Sequence, residues 1–222
     1  MGAVALLQEM FRYNAWANAE FLAKLELLDV DQHGEERHVA IRQLNHCLVV
    51  NRIFKAHLTG KPHGYTADNT PETPALGELA AAVAASDRWY LDYLETVSEV
   101  DLMETIAFAF TDGDLGCMSR QEILTHAAIH GAYHRGEVGR ILRQISAPLP
   151  WDTFAVFLHE TEPLRREHVS ARVALSRLLK AVSVSFTRRR SSLRPRRSRI
   201  RRGASPNPSD CSEGRSPAGP SA

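Results

Sequence analysis

Two histidines one helical turn apart are the residues of this chain best suited to chemistry. His130 and His134 lie in the stretch HGAYHRGEVGRIL, and a third, His126, lies one turn upstream. Residues four apart in an α-helix project from the same face, about 40° apart in rotation. Neutral imidazole is the commonest metal ligand in proteins. The spacing therefore makes this chain a candidate metalloprotein.

A third ligand has to come from another helix. His126 and His134 are about 12 Å apart along one helix, whereas a metal–nitrogen bond is about 2.1 Å long, so all three cannot share one ion. His46, in QLNHCLVVNRIF, lies at the edge of an apolar face and is the best outside candidate. His57 is the second option, although it lies near the end of its helix. Three protein ligands and an exchangeable water are typical of catalytic rather than structural sites.

The remaining histidines and one familiar motif are set aside. His126 is interpreted as a hydrogen-bonded core residue or a neighbour of the ligands. A metalloprotease HExxH motif is excluded, because Gly131 stands where the general-base glutamate is required. A lone HxxxH pair also arises by chance, so a purely structural role stays open at this point. The histidines in polar or terminal contexts are His33, His38, His63, His159 and His168.

The element that carries the pair belongs to a predicted set of four helices. Apolar residues recur at helical spacing over residues 3–28, 39–59, 75–97 and 121–144. A polar break separates the first two helices, and a loop with three prolines spans residues 61–74. Asp112-Gly113 predicts a short hairpin or extended excursion between helices three and four, and Ser119 with Glu122 predicts a capping box. These elements predict an all-α four-helix bundle, a fold that places metal sites between facing helices.

Charge divides the chain into two segments. Residues 161–222 hold 15 of the 27 Lys and Arg residues and 4 of the 26 Asp and Glu residues, so residues 1–160 carry a net charge of −10 and the tail +11. We expect a folded domain over 1–160 and a basic, largely disordered tail over 161–222, in which 162–185 could still be helical. The tail could bind nucleic acid, although it lacks interleaved aromatic residues. It also has the composition of an out-of-frame reading of a GC-rich gene.

The three cysteines and the amino terminus indicate the compartment. Cys47, Cys117 and Cys211 form neither a disulfide framework nor a CxxC motif, and Cys47 is most simply a buried thiol. The amino terminus lacks the basic region of a signal peptide. No uninterrupted apolar stretch reaches the length of a membrane span. We expect a cytoplasmic protein that does not enter a membrane.

Several separated motifs together resemble one family. RYNAWAN at residues 12–18, LNHCLVVNRIF around His46, LTHAAIHGAYHRGEVGRIL and the closing PLPWDTFAVFL are similar, in order and interval, to the DinB family of DinB/YfiT-like metalloenzymes. The resemblance covers about residues 3–160. The sequence departs from the family pattern at Ile129, where Asn is usual, and at Glu137, where the HRGQ motif has Gln. Glu137 is interpreted as solvated, and Arg135 either as a surface residue or as the partner of an acidic group from helix one or a partner subunit.

The resemblance implies a site and a range of activities. Carried over by position, the metal-binding histidines are His46, His130 and His134, and the ion is divalent: nickel or zinc first, with manganese or iron less favoured. It implies a metal-dependent transferase that uses a low-molecular-weight thiol, or a hydrolase, acting on a small molecule through a metal-bound water or thiol. The alternative is a non-catalytic metal-binding stress-response protein. A homodimer is expected from the family, and nucleic-acid binding only through the tail.

Overall fold

The computed structural model describes residues 2–166, together with Arg172, Val173, Leu175, Ser176 and Leu179. The described chain is mostly helical, with one small sheet, and so it forms the predicted all-α bundle. Its elements are α1 Ala3–Glu26, α2 Val30–Thr59, α3 Leu76–Thr96, a 3-10 turn Asp101–Met103, β1 Thr105–Ala109, β2 Leu115–Ser119, α4 Arg120–Gln144 and α5 Phe154–Thr161.

The packing order brings the two histidine-bearing helices together. α1 packs mainly against α3 and α4, and α2 packs against α4 and α3. One apolar cluster, around Phe11 and Tyr90, fills one end of the bundle, and a second, around Leu25 and Leu142, fills the other. The facing surfaces of α2 and α4 between these clusters carry the candidate metal ligands.

The predicted start of the second helix is wrong. α2 begins at Val30 rather than at residue 39, so the polar segment that was expected to be a break is helical. The side chain of Asp29 caps this helix by accepting hydrogen bonds from the backbone N–H groups of Asp31 and Gln32. A kink at His33, where φ is −132° and ψ is 29°, interrupts the polar part of this helix.

The predicted hairpin and capping box are both present. β1 and β2 pair antiparallel, with Thr105 opposite Ser119. Gly113 occupies the turn with a φ of +96°, a conformation that glycine adopts without strain. Ser119 ends β2 and begins α4: its side chain accepts from the backbone N–H of Glu122, whose carboxylate accepts from the backbone N–H of Ser119. The hairpin therefore runs directly into the helix that carries His130 and His134.

Most of the basic tail lies outside the described residues. The described residues between 172 and 179 are helical, in agreement with a helix within 162–185. The expected disorder beyond residue 185 concerns residues outside the described part of the chain. No described helix is both long and apolar enough to cross a membrane.

Arg135 is the centre of a buried polar network. Its side chain is fully buried and forms an ion pair in which Nε donates to Asp152 Oδ2 at 2.9 Å. Its two terminal nitrogens donate to Asn18 Oδ1 and Asn14 Oδ1, each at 3.1 Å. The acid that pairs with Arg135 thus comes from the segment before α5, not from helix one or a partner subunit. We call these four residues, with Tyr13 and Asp87, the Arg135 network.

The Arg135 network unites three of the motifs in the sequence. Asn14 and Asn18 belong to RYNAWAN, Arg135 to HRG, and Asp152 to PLPWD. Tyr13 donates a hydrogen bond to Asp152, and burial, followed by Asp152 itself, raises the pKa of Tyr13 to about 12. The closing segment is therefore bound to both α1 and α4.

Gly131 leaves room for this network. A Cβ atom at residue 131 would lie 3.3 Å from Arg135 Nη1 and 3.7 Å from Asn14 Nδ2. The first distance is shorter than ordinary van der Waals contact. A side chain at the residue where a metalloprotease carries its glutamate would therefore crowd the Arg135 guanidinium.

Asp87 extends the network to α3. Asn18 Nδ2 donates to both carboxylate oxygens of Asp87, at 3.1 and 3.0 Å. Burial raises the pKa of Asp87 to about 6, and the Asn18 hydrogen bond and the charge of Arg135 oppose this rise. Through Asn18, the network connects α1, α3, α4 and the closing segment.

The first prediction concerns Arg135. The substitution Arg135→Met leaves the mostly buried Asp152 carboxylate without its cation, and we expect it to lower the free energy of unfolding by about 3–5 kcal/mol. Arg140→Met is the matched control on the same helix, because the ion pair of Arg140 with Glu137 and its hydrogen bond to Gln144 are both exposed. That change is expected to cost less than about 0.5 kcal/mol. Urea denaturation measures both, and equal losses would contradict the role given to Arg135.

The second prediction is a pH dependence. Asp87 has a higher pKa in the folded chain than in the unfolded chain, so between pH of about 4 and 6 the folded state binds more protons and stability falls as pH rises. We expect Asp87→Asn to remove this term. As the pH rises from about 4 to about 7, the free energy of unfolding of the variant should increase relative to that of wild type by about 2–3 kcal/mol. Asp92→Asn, an exposed change on α3, is the control, and a pH-independent difference between Asp87→Asn and wild type would refute the assignment.

Candidate metal centre

His46 from α2 and His130 and His134 from α4 meet between their helices. His130 Nε2 lies 3.1 Å from His46 Nε2 and 3.1 Å from His134 Nε2. One nitrogen from each ring lies within 4.8 Å of the other two, and this is the only such His, Cys, Asp and Glu group of three found among the described residues. Two nitrogens bound to one ion at about 2.1 Å lie about 3.0–3.4 Å apart at right-angled to tetrahedral geometry. The triad thus has the spacing of a group that can hold one ion.

The outer nitrogen of His46 fixes the tautomer of its ring. His46 Nδ1 lies 2.8 Å from the backbone carbonyl oxygen of Asp68, and 3.7 Å from the Asp68 carboxylate. A carbonyl oxygen can only accept, so Nδ1 is the donor. In the neutral ring, Nε2 then carries the lone pair and points it toward the other two histidines.

Gln43 plays the same part for His134. Gln43 Oε1 lies 3.1 Å from His134 Nδ1 and accepts its hydrogen bond. Such hydrogen bonds to the outer nitrogen orient metal-ligating histidines and raise their basicity. Sequence reasoning missed Gln43, yet a signal exists: Gln43 precedes His46 by three residues and so shares its helical face.

The long loop between α2 and α3 supplies the Asp68 carbonyl. Asn45 Nδ2 donates to Asn69 Oδ1 and to Thr70 Oγ1, each at 2.6 Å. Arg42 Nη1 donates to the Thr70 carbonyl at 2.6 Å, and Asn69 Nδ2 donates to the Arg42 carbonyl at 3.0 Å. These bonds hold the loop against α2 beside His46, so the loop is part of the site.

His130 is the most perturbed ring of the three. Burial, followed by the charges that His134 and His46 would carry, lowers the pKa of His130 to about 3. Burial likewise lowers the pKa of His134. Both rings are therefore neutral near pH 7, the form that binds a metal. His130 Nδ1 is buried and has no hydrogen-bond partner within the described part of the chain.

The donor set fits a cation. With Nδ1 of His46 and of His134 acting as donors, their Nε2 atoms are both acceptors, and both face His130 Nε2. If His130 Nε2 carried a proton, it could donate a full hydrogen bond to only one of these two acceptors. The lone pair of the other Nε2 atom would then lack a partner. A single divalent ion satisfies all three nitrogens at the observed spacing, since imidazole nitrogen binds such ions well.

The other described histidines do not belong to the triad. His57, the second option in the sequence, does not join the triad, but it lines a cavity beside the triad, as does His126. His126 stacks on His130 with ring centroids 5.3 Å apart, so it is a neighbour of the triad rather than a member. Its pKa is lowered by burial. His63 packs against His57, with ring centroids 5.2 Å apart, and sequence reasoning set it aside. His168 lies outside the described residues.

A cavity of about 180 Å³ opens beside the triad. Its walls come from α2, α4, the loop after α2 and the hairpin. The lining residues are His46, Val50, Ile53, Phe54, His57, Asp68, Phe108, Phe110, Thr111, His126 and His130. Two members of the triad are therefore accessible to a small molecule.

Three residues near the triad take no direct part in it. Cys47 is buried, as predicted, burial raises the pKa of its thiol to about 12, and its sulfur does not belong to the group of ligand atoms that the triad forms. Ile129, at the position where the family pattern has Asn, is 57% exposed. Glu137 is partly exposed and pairs with Arg140 at 3.1 Å, not with a histidine.

A comparison with protein-family models decides the family. The model described as the DinB family matches residues 1–168. The chain belongs to the DinB family. The match includes all three histidines of the triad and both halves of the Arg135–Asp152 pair. No curated protein and no solved structure matches the chain.

Proposed function

We propose that this DinB-family protein binds one divalent metal ion through the Nε2 atoms of His46, His130 and His134. The observation that carries the proposal is the meeting of three imidazole nitrogens, at 3.1 Å for two of the pairs, on two adjacent helices. The hydrogen bonds from His46 to Asp68 and from His134 to Gln43 support it, because they turn the lone pairs inward. Zinc and nickel suit an all-imidazole set best, and manganese and iron suit it less.

We further propose that the protein is an enzyme acting on a small molecule. Three protein ligands leave coordination positions open, as in catalytic zinc sites, and the cavity beside His46 and His130 gives a small molecule access to them. A divalent ion held there would lower the pKa of a bound water or thiol and so supply a nucleophile near neutral pH. The reaction class is transfer to a low-molecular-weight thiol or hydrolysis.

The surrounding side chains have separate tasks in this proposal. His130 and His134 stay neutral because burial depresses the pKa of each ring. Phe54, Phe108 and Phe110 give the cavity apolar surface on which a small molecule can pack. Asp68 is the acidic side chain among the cavity residues, and we assign to it the acceptance of the proton that the nucleophile loses.

The competing function is a non-catalytic metal-binding protein of the stress-response type. Such a protein would hold its ion with a complete set of protein ligands. The described residues supply three ligands and no fourth in the same group. This count and the adjoining cavity favour the enzyme.

The third prediction combines metal content and activity. Full-length protein purified without added metal or a polyhistidine tag should contain about one zinc or nickel ion per chain by elemental analysis. His46→Ala and His134→Ala should lose most of this metal while keeping the helical circular-dichroism spectrum. His38→Ala, an exposed histidine on α2, should keep it.

The same samples test catalysis. Glutathione consumption with monochlorobimane and hydrolysis of p-nitrophenyl acetate serve as general probes of the two reaction classes. We expect at least one of these activities in wild type and in His38→Ala, and its loss in His134→Ala. Metal bound equally in wild type and in His46→Ala would overturn the site. Metal bound by the triad without either activity would favour the non-catalytic protein.

A further inference from the structure

The cavity beside the triad contains two histidine rings that the proposed metal centre does not use. His57 from α2 and His126 from α4 both line it. Neither ring makes a hydrogen bond within the described part of the chain, and neither has a nitrogen that is both buried and unpartnered. Their nitrogens are therefore accessible polar atoms in an otherwise largely aromatic chamber.

Aromatic packing holds both rings in place. His126 lies against Phe54 with ring centroids 4.9 Å apart. His57 stacks on Phe108 at 4.7 Å with an interplanar angle of 24°, and meets the edge of Phe54 at 5.9 Å. The two imidazoles thus share Phe54 as a neighbour and have fixed planes, while their polar atoms are left for a ligand.

The hairpin contributes a further part of the chamber wall. Phe108 on β1 is paired with Gly116 on β2. A Cβ atom at Gly116 would lie 2.5 Å from the Phe108 ring, so only glycine allows that ring its position. Phe110, one residue beyond β1, contacts Phe108 edge to face at 5.1 Å. The hairpin is therefore built to place aromatic rings over the cavity.

The volume limits what the chamber can hold. Drug-sized ligands occupy pockets of about 300–1,000 Å³, whereas a cavity of about 150 Å³ accepts benzene. At about 180 Å³, this chamber accommodates a molecule the size of one substituted six-membered ring. A complete low-molecular-weight thiol of tripeptide size would extend beyond the chamber into solvent.

We propose that this chamber binds the electrophilic substrate, a compound of single-ring size that carries a carbonyl or carboxamide group. The ring packs against Phe54, Phe108 and Phe110, and His57 and His126 hydrogen-bond the polar group. Each neutral imidazole offers one donor and one acceptor nitrogen, which matches such a group. The thiol or water then reaches the metal from outside the chamber. This inference deepens the proposed function and rests on it.

Binding of two probes to the zinc-loaded full-length chain tests the proposal. Benzamide supplies the ring and the carboxamide, and toluene supplies a ring alone. Chemical-shift changes in ¹⁵N-labelled protein should map both probes to residues of the cavity wall. We expect His57→Leu and His126→Leu each to weaken benzamide binding about fivefold, the effect of one lost hydrogen bond, without weakening toluene binding. Phe108→Ala should weaken both probes, and His38→Leu neither.

The outcomes distinguish the chamber from the metal centre. Unchanged benzamide affinity in both histidine variants, or shifts that map away from the cavity, would overturn the chamber as a substrate site even if zinc is bound normally. If the histidine variants lost affinity for benzamide and for toluene equally, the two histidines would have only a structural role. That result would also overturn the chamber as a substrate site. Benzamide binding that depends on His57 and His126 in a chain that fails to bind zinc would support the chamber and refute the metal proposal.

Discussion

A buried ion pair between Arg135 and Asp152 is the interaction on which the arrangement of this protein depends. Burying a guanidinium is costly unless its donors are satisfied. Here Asp152, Asn14 and Asn18 accept from it, and they come from the closing segment and from α1. The relative placement of α1, α4 and the segment before α5 is therefore fixed by polar groups with directional demands, whereas apolar packing alone would permit alternatives. Asn18 also donates a hydrogen bond to Asp87, so α3 is held by the same network.

This constraint acts one residue away from the candidate metal centre. Successive residues on a helix point about 100° apart, so Arg135 faces α1 while His134 faces α2. The network holds the α1 side of α4, and the opposite side presents His130 and His134 to His46. On α2, Gln43 orients His134, while the Asp68 carbonyl orients His46. Each element that contacts the triad is held independently of any metal, as expected of a preorganised site.

The sequence was sufficient for the features that follow from short-range pattern. Helical periodicity predicted α1, α3 and α4, the capping box predicted the start of α4, and the Asp112-Gly113 turn signal predicted the hairpin. Helical spacing with family resemblance selected the three histidines that meet. Spacing could not reveal that residues 30–38 are helical, because their polar side chains lack an apolar face and the decisive contact is the Asp29 cap. Spacing also could not reveal that Arg135 is buried. A charged residue can be recognised as buried only when its partners are known, and those of Arg135 lie up to 121 residues away in the sequence. Asp68 orients His46 through its backbone carbonyl, and a backbone contact of this kind leaves no mark in the sequence. His57 was considered as a ligand, and only the hairpin's position shows that it belongs to the cavity wall.

X-ray absorption at the zinc edge of the zinc-loaded full-length protein measures the ligands of the bound ion directly. It therefore tests whether the three imidazoles bind one divalent ion and leave a coordination position open. The proposed site predicts three imidazole ligands at about 2.0–2.1 Å, with one or two further oxygen or nitrogen atoms from outside the protein and no sulfur. It also predicts that added azide or imidazole replaces one of these outer atoms. A spectrum with one imidazole or none, with sulfur ligands, or with four protein ligands that azide does not disturb would contradict an open three-histidine site.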